Sequence, residues 1–180
     1  MPTTSSTRVI GDSRSTQYGV TPRSNALVIA AIIVATLVTA VAGSLASVSA
    51  PDFYAQLSSP AWAPPAWLFG PVWTLLFCMM ALAAVLAVRN SKARPIAPML
   101  ALYVAQLIAN GLWSWLFFHW QLGVAAFTDS LLMMLLIAAT TFAFWRVRRV
   151  AGVLMLPYLA WVSFATALSY TLWRLNPGVL

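Results

Sequence analysis

Five apolar stretches, each close to the length a helix needs to cross a bilayer, constrain this chain more than any other feature. They run over residues 26–48, 72–88, 96–118, 122–145 and 152–173. A helix needs about 20 predominantly apolar residues to traverse the hydrocarbon core. Of 180 residues, 62% are hydrophobic and 7% are charged, whereas an ordinary soluble domain carries about 25% charged residues. The polar surface is too small to keep such a chain in water. The expected fold is therefore all-α: a polytopic membrane protein, built as a five-transmembrane-helix bundle. Residues 1–24, rich in Ser, Thr and Arg with no apolar period, read as a disordered basic tail. Residues 25–176 read as one bundle domain and 177–180 as a short C-terminal tail. The single cysteine, Cys78, lies inside an apolar stretch, excludes an internal disulfide and reads as a small buried hydrophobe.

The net charge of +7 does not form a nucleic-acid stripe. The basic residues fall in short clusters between the apolar stretches, so no nucleic-acid partner is expected. Arg8, Arg14 and Arg23 precede the first span; Arg89, Lys92 and Arg94 follow the second; Arg146, Arg148 and Arg149 follow the fourth. The opposite set of connections holds Asp52 and Arg174. Nine positive residues against one place the N-terminus in the cytoplasm and the C-terminus outside, with membrane lipid as the solvent of the bundle. Val48-Ser49-Ala50 resembles a signal-peptidase site, but the first span is longer than the roughly 7–15 residues of a signal core, which argues against cleavage.

Between the first two spans lies Ser59-Pro60-Ala61-Trp62-Ala63-Pro64-Pro65-Ala66-Trp67-Leu68-Phe69-Gly70-Pro71-Val72-Trp73. Its four prolines remove four backbone donors, so the segment neither continues a helix through its middle nor pairs as a central strand. The tryptophans, spaced by five and six residues, follow neither regular period. Rigid backbone carrying amphipathic rings suits an interfacial belt or the lid of an apolar pocket.

Polar residues inside the spans are the other informative set. Gln106, Asn110, Trp113 and Phe117 share one helical face. Amides in hydrocarbon must find partners, so this face should point into the bundle, as interhelical glue or as the wall of a pocket for a flat ligand with polar edges. Tyr158, Trp161, Ala165 and Leu168 share one side of the last span, with Tyr170 and Arg174 roughly opposite. Leu168, Tyr170 and Arg174 also fit a short pattern proposed for sterol contact, and equally an interfacial anchor with a snorkelling arginine. Asp129, the sole carboxylate within a span, calls for a partner such as Thr128, His119 or Arg174. Ala31, Ala35, Thr39, Gly43 and Ser47 form a stripe of small residues on the first span, suited to close helix approach within the bundle or across a dimer. No acid/base pair, nucleophile constellation, metal-ligand cluster or phosphate loop is legible, so no catalytic residue and no metal is assigned.

Taken together, these segments resemble the tryptophan-rich sensory protein and mitochondrial translocator protein family (TspO/MBR), also called peripheral-type benzodiazepine receptors. The likeness rests on Tyr54 with Leu57, Pro60-x-Trp62-x-Pro64-Pro65-x-Trp67, Gly70-Pro71-Val72-Trp73, Gln106-Leu107-x-x-Asn110 with Trp113 and Phe117-Phe118, Pro157-Tyr158-Leu159-Ala160-Trp161, and Tyr170 with Trp173-Arg174-x-Asn176. It covers residues 51–176, with the first span matched by position. The resemblance implies a five-helix bundle, commonly a homodimer, whose pocket opens toward the first connection and takes porphyrins, protoporphyrin or haem, with sterols in animal members. No cofactor is required. By resemblance Tyr54, Trp62 and Trp67 belong to the lid, Asn110, Trp113, Trp161 and Ala165 line the pocket beside Gln106, and Leu168, Tyr170 and Arg174 form the sterol motif. Ser169, Phe77 and His119 depart from the family's usual Asn, Tyr and Gly at their positions. Two functional classes follow: a protein that senses, buffers or moves tetrapyrroles, and an enzyme of light- and oxygen-dependent porphyrin breakdown. The expected location is the cytoplasmic membrane of a bacterium.

Overall fold

A computed structural model describes residues 22–91 and 96–180, with side chains from residue 25 onward. The basic side chains Arg8, Arg14, Arg23, Lys92 and Arg94, and the tail up to residue 21, lie outside the described residues. Six α-helices follow one another: α1 (Pro22–Ala46), α2 (Ala50–Gln56), α3 (Phe69–Asn90), α4 (Ile96–Ser114), α5 (Gly123–Val147) and α6 (Arg149–Leu175). The described residues contain no strand. All but α2 are long and apolar enough to cross a membrane, as the five stretches in the sequence require. α1 begins at Pro22, so residues 22–24, assigned above to the tail, are helical.

The helices close into a ring in which α1 packs on α4, α4 on α5, α5 on α6, α6 on α3, and α3 back on α1. Inside the ring Met80, Tyr103, Met133, Ile137, Phe144, Met155 and Tyr158 are fully or almost fully buried. Leu, Val and Ile side chains on the outer faces are exposed, which is the distribution hydrocarbon solvent demands. The small-residue stripe of α1 meets α4. A Cβ on Gly43 would stand 3.3 Å from Ser114 Oγ, and one on Gly111 would stand 3.7 Å from Thr39 Cγ2. Thr36 Oγ1 and Tyr103 Oη lie 2.8 Å apart in the same seam. Thr39 and Gly43 of the stripe thus pack closely within the bundle, while Ala31 is exposed.

Local chemistry explains the breaks. Pro71 falls in the first turn of α3, where its missing N–H costs no helical bond. The first connection is itself ordered: Pro51 opens α2, a turn runs from the Pro60 carbonyl to the Ala63 N–H at 2.9 Å, and a 3-10 turn over Ala66–Leu68 leads into α3. α4 ends in a π turn, Trp115–His119, closed by Trp120 N–H on the Trp115 carbonyl at 2.8 Å. Gln121 then takes a left-handed conformation with φ 55°. Gly123 follows where a Cβ would stand 2.8 Å from Trp173 Cδ1. Arg148, in extended conformation, separates α5 from α6, and its Nη1 donates to Asn90 Oδ1 at 2.9 Å. That bond places the ends of α3 and α5 on one side of the bundle. The first connection and the end of α6 meet at the other.

Candidate functional site

Beneath the first connection the ring leaves a cavity of about 620 Å³. Ala40, Gly43 and Ser44 of α1 with Ser47 of the turn after it, Trp73, Phe77 and Cys78 of α3, and Asn110, Trp113 and Ser114 of α4 form its walls. Ala50, Pro51 and Tyr54 of α2, with Ala66 and Trp67 of the 3-10 turn, line the side toward the connection. Small residues on α1 make the space: a stripe that lets helices approach also leaves volume where the opposite wall is aromatic.

The lining is more apolar than its residue types suggest. Ser44, Ser47 and Thr74 donate their hydroxyls to the Ala40, Gly43 and Gly70 carbonyls four residues before them at 2.8, 2.8 and 2.9 Å. Trp113 stacks on Phe117 with centroids 5.2 Å apart and planes at 11°, and meets Phe118 edge-on at 5.7 Å. The one amide in the wall is that of Asn110, which is 4% exposed. Its Nδ2 donates to Tyr158 Oη at 2.9 Å, and that hydroxyl donates to Gln106 Oε1 at 2.9 Å. Asn110 therefore has a fixed orientation at the wall while Gln106, with no exposed surface, belongs to the buried network behind it. Gln106 Nε2, Trp113 Nε1 and Trp161 Nε1 are buried without a hydrogen-bond partner among the described residues.

Tyr54 fixes the connection from within: its hydroxyl donates to the Pro64 carbonyl at 3.1 Å, and its ring meets Phe69 edge-on at 5.6 Å. Burial pushes the Tyr54 phenol above its ordinary pKa. Trp67 borders the cavity yet is 71% exposed, as a rim residue would be.

Four of the eight pocket residues read from the sequence therefore line the cavity: Tyr54, Trp67, Asn110 and Trp113. Trp62 instead lies against Phe164 of α6 at 5.7 Å. Trp161 packs edge-on against Phe69 at 5.9 Å. Ala165 borders a separate narrow void of about 20 Å³, shared with Leu168, Ser169 and the far sides of Tyr54, Phe69 and Trp113. The physical reason is the ring order. α6 packs on α3 and α5 and stands behind the aromatic wall, whereas α1, across from α4, opens onto the cavity. The α1 lining and Cys78 escaped sequence reasoning, although the small-residue stripe was the signal that marked that face. Cys78 is exposed at the cavity rather than buried.

The sterol-type motif splits. Leu168 is buried, while Tyr170 is 45% exposed and packs on Phe127 at 5.2 Å. Positions two apart on a helix differ by about 200°, so these two face opposite ways. The Arg174 guanidinium lies 5.9 Å from the Trp173 ring on the Tyr170 side. Asp129 joins none of its expected partners: Thr128 Oγ1 donates to the Val124 carbonyl at 2.8 Å, His119 sits edge-on to Trp115 at 4.9 Å, and Asp129 Oδ2 is buried without a hydrogen bond among the described residues.

Fold and site define an integral membrane protein of five spanning helices with a covered apolar cavity at one end. Residues 29–174 match the TspO/MBR family, and the chain belongs to it. The tryptophan-rich protein TspO of Chlorobaculum tepidum is 44% identical over 127 residues, covering 69% of this chain and 80% of that protein. The human translocator protein is 39% identical over 129 residues, covering 70% and 76%. Protein CrtK of Rhodobacter capsulatus is 33% identical over 141 residues, covering 77% and 88%.

Proposed function

We propose that this protein holds a flat, largely apolar ligand of the tetrapyrrole class, such as protoporphyrin or haem, in the cavity beneath the first connection, and thereby senses, buffers or translocates it. The observation that carries this reading is the cavity itself. Its volume of about 620 Å³ falls within the roughly 300–1,000 Å³ of small-molecule sites, and like them it combines apolar walls with few placed polar groups. The indole of Trp113 offers a stacking face, and Asn110 offers a polar group to a ligand edge. Relatives bearing the names sensory protein and translocator protein accord with binding and movement. The protein acts in this reading within the cytoplasmic membrane of a bacterium, N-terminus inside, as a homodimer surrounded by lipid.

The experiment is capture and identification: protein purified from cells supplied with a tetrapyrrole precursor, examined by absorbance and mass spectrometry. A co-purifying porphyrin at a fixed ratio to protein, lost on Trp113→Ala, supports the reading. A colourless preparation that also leaves added protoporphyrin free would end it.

One observation favours a second reading. Three indoles, Trp67, Trp73 and Trp113, line the cavity, and an illuminated porphyrin there would have oxidisable groups beside it. In that reading the ligand supplies the reactive chemistry and the protein confines it, as enzymes with cofactor-borne chemistry do.

A further inference from the structure

We propose that Asn176 is a positioning residue that holds the first connection closed over the cavity, and so sets how fast a ligand enters and leaves. Asn176 follows the last turn of α6 and is 8% exposed. Its Oδ1 accepts from Ser58 N–H at 2.8 Å, and its Nδ2 donates to the Ser58 carbonyl at 3.0 Å and to the Leu172 carbonyl at 2.8 Å. Backbone partners have fixed polarity, so the orientation of this amide is settled by them. One side chain thus adds a second donor to the Leu172 carbonyl of α6, which also accepts the Asn176 backbone N–H at 3.1 Å, and grips both backbone groups of Ser58 as a neighbouring strand would.

Ser58 stands at the middle of the cover. Before it come Ala50, Pro51 and Tyr54, after it Ala66 and Trp67, all lining the cavity. Every other hydrogen bond of residues 50–68, among those described, stays within the connection and its junctions, including Tyr54 to Pro64 and Ala63 to Pro60. The hydrogen bonds between the cover and the body of the bundle are those of Asn176. What else holds the cover is apolar: Phe53 on Phe117 at 6.1 Å and Trp62 on Phe164 at 5.7 Å. Ring contacts tolerate sliding, whereas a three-bonded amide fixes one position. Without it the cover keeps its own structure and loses its anchor.

The role in ligand exchange rests on the binding reading above; the anchoring does not, and the test separates them. Full-length protein in lipid nanodiscs carries Asn176→Asp, which is isosteric but sets a carboxylate oxygen against two carbonyls, or Asn176→Ala. Hydrogen exchange at Ser58 should accelerate about tenfold, as loss of a charge-free hydrogen-bonded clamp implies, while α4 and α5 stay protected. Stopped-flow quenching by protoporphyrin should show association and dissociation both faster by about tenfold, with the dissociation constant changed less than either rate. Leu175→Ala, an exposed neighbour, should alter neither. Unchanged exchange at Ser58 overturns the proposal, as do faster exchange with unchanged ligand rates and loss of α4 and α5 protection in both variants. If the unsubstituted protein captures no protoporphyrin, the binding reading fails and exchange at Ser58 alone decides the anchor.

Discussion

Asn110 at the cavity wall and Tyr158 on α6 are joined by a hydrogen bond of 2.9 Å from Nδ2 to Oη, and Tyr158 passes its own proton toward Gln106 at 2.9 Å. Three residues from two helices therefore act as one unit. Tyr158 has no exposed surface, so water cannot replace its hydroxyl. Tyr158→Phe leaves Asn110 and Gln106 each short of a partner in an apolar interior, a loss of about 1–3 kcal/mol. The expected outcome is a lower melting temperature together with weaker ligand binding, because Asn110 is freed to rotate. Thermal unfolding followed by circular dichroism and a binding titration check both; a variant as stable as the parent would show that the network contributes nothing.

Direct contact with ligand is tested at the wall. Trp113→Ala removes a stacked ring and Asn110→Ala the one placed amide, and each should weaken protoporphyrin binding about tenfold or more. Tyr170→Ala, on the outer side of α6 beside Phe127, should stay within about twofold. Quenching titrations on the three proteins decide it, and equal losses at Trp113 and Tyr170 would move the site away from the cavity.

The five spans and the inward face of α4 were legible because each follows one physical length or period. Hydrocarbon thickness sets span length, and the 3.6-residue repeat brings Gln106, Asn110, Trp113 and Phe117 to one side, all of them buried. Which helix faces that side across the cavity was not legible, since ring order depends on packing among all five helices. Trp161 and Ala165 share a helical face with Tyr158, yet that face meets the back of the aromatic wall instead of the cavity. The small residues of α1 announced close packing without naming a partner. The order within the first connection, with α2 and its 3-10 turn, stayed hidden because seven helical residues leave almost no periodic signal.

Close packing at the start of α5 predicts a cost at Gly123. A Cβ there would stand 2.8 Å from Trp173 Cδ1 and 2.9 Å from Leu180 Cβ. Gly123→Ala should therefore destabilise the bundle by about 1–3 kcal/mol, the usual cost of overpacking. Gly70→Ala, with nothing within 4 Å of the new Cβ, should be close to neutral. Melting temperatures of the two variants in one detergent make the comparison, and equal values would contradict the packing.

The basic connections predict a cytoplasmic N-terminus, and labelling tests it. In a Cys78→Ala background, cysteines at Ser58 and Asn90, both exposed and at opposite ends, are treated in intact cells with an impermeant thiol reagent. Ser91 is buried and would resist the reagent on either side, so Asn90 is the informative position. Labelling at 58 and protection at 90 are expected; the reverse pattern would invert the orientation.

Binding and breakdown diverge under light. If the cavity only holds porphyrin, illumination in oxygen should bleach the ligand to the mixture formed by free porphyrin in detergent, at a rate changed by shielding. If the protein directs the chemistry, one open-chain product should dominate, and its yield should depend on the indoles beside the ligand. Trp67, Trp73 and Trp113 line the cavity, while Trp62 lies outside it on Phe164, so the informative variant is the triple Trp67→Phe, Trp73→Phe, Trp113→Phe. Phenylalanine keeps most of the apolar contact and removes the oxidisable ring. Binding should survive in that variant within about tenfold, since a ring still faces the ligand. The cavity holds no paired acid and base among the described residues, and general acid–base catalysis requires such groups within reach of the reacting atoms. On the binding reading, the expected result is the same product mixture from parent, variant and free porphyrin. A single product formed by the parent and lost in the variant, with binding retained, would instead make this protein an enzyme whose tryptophans take part in the reaction.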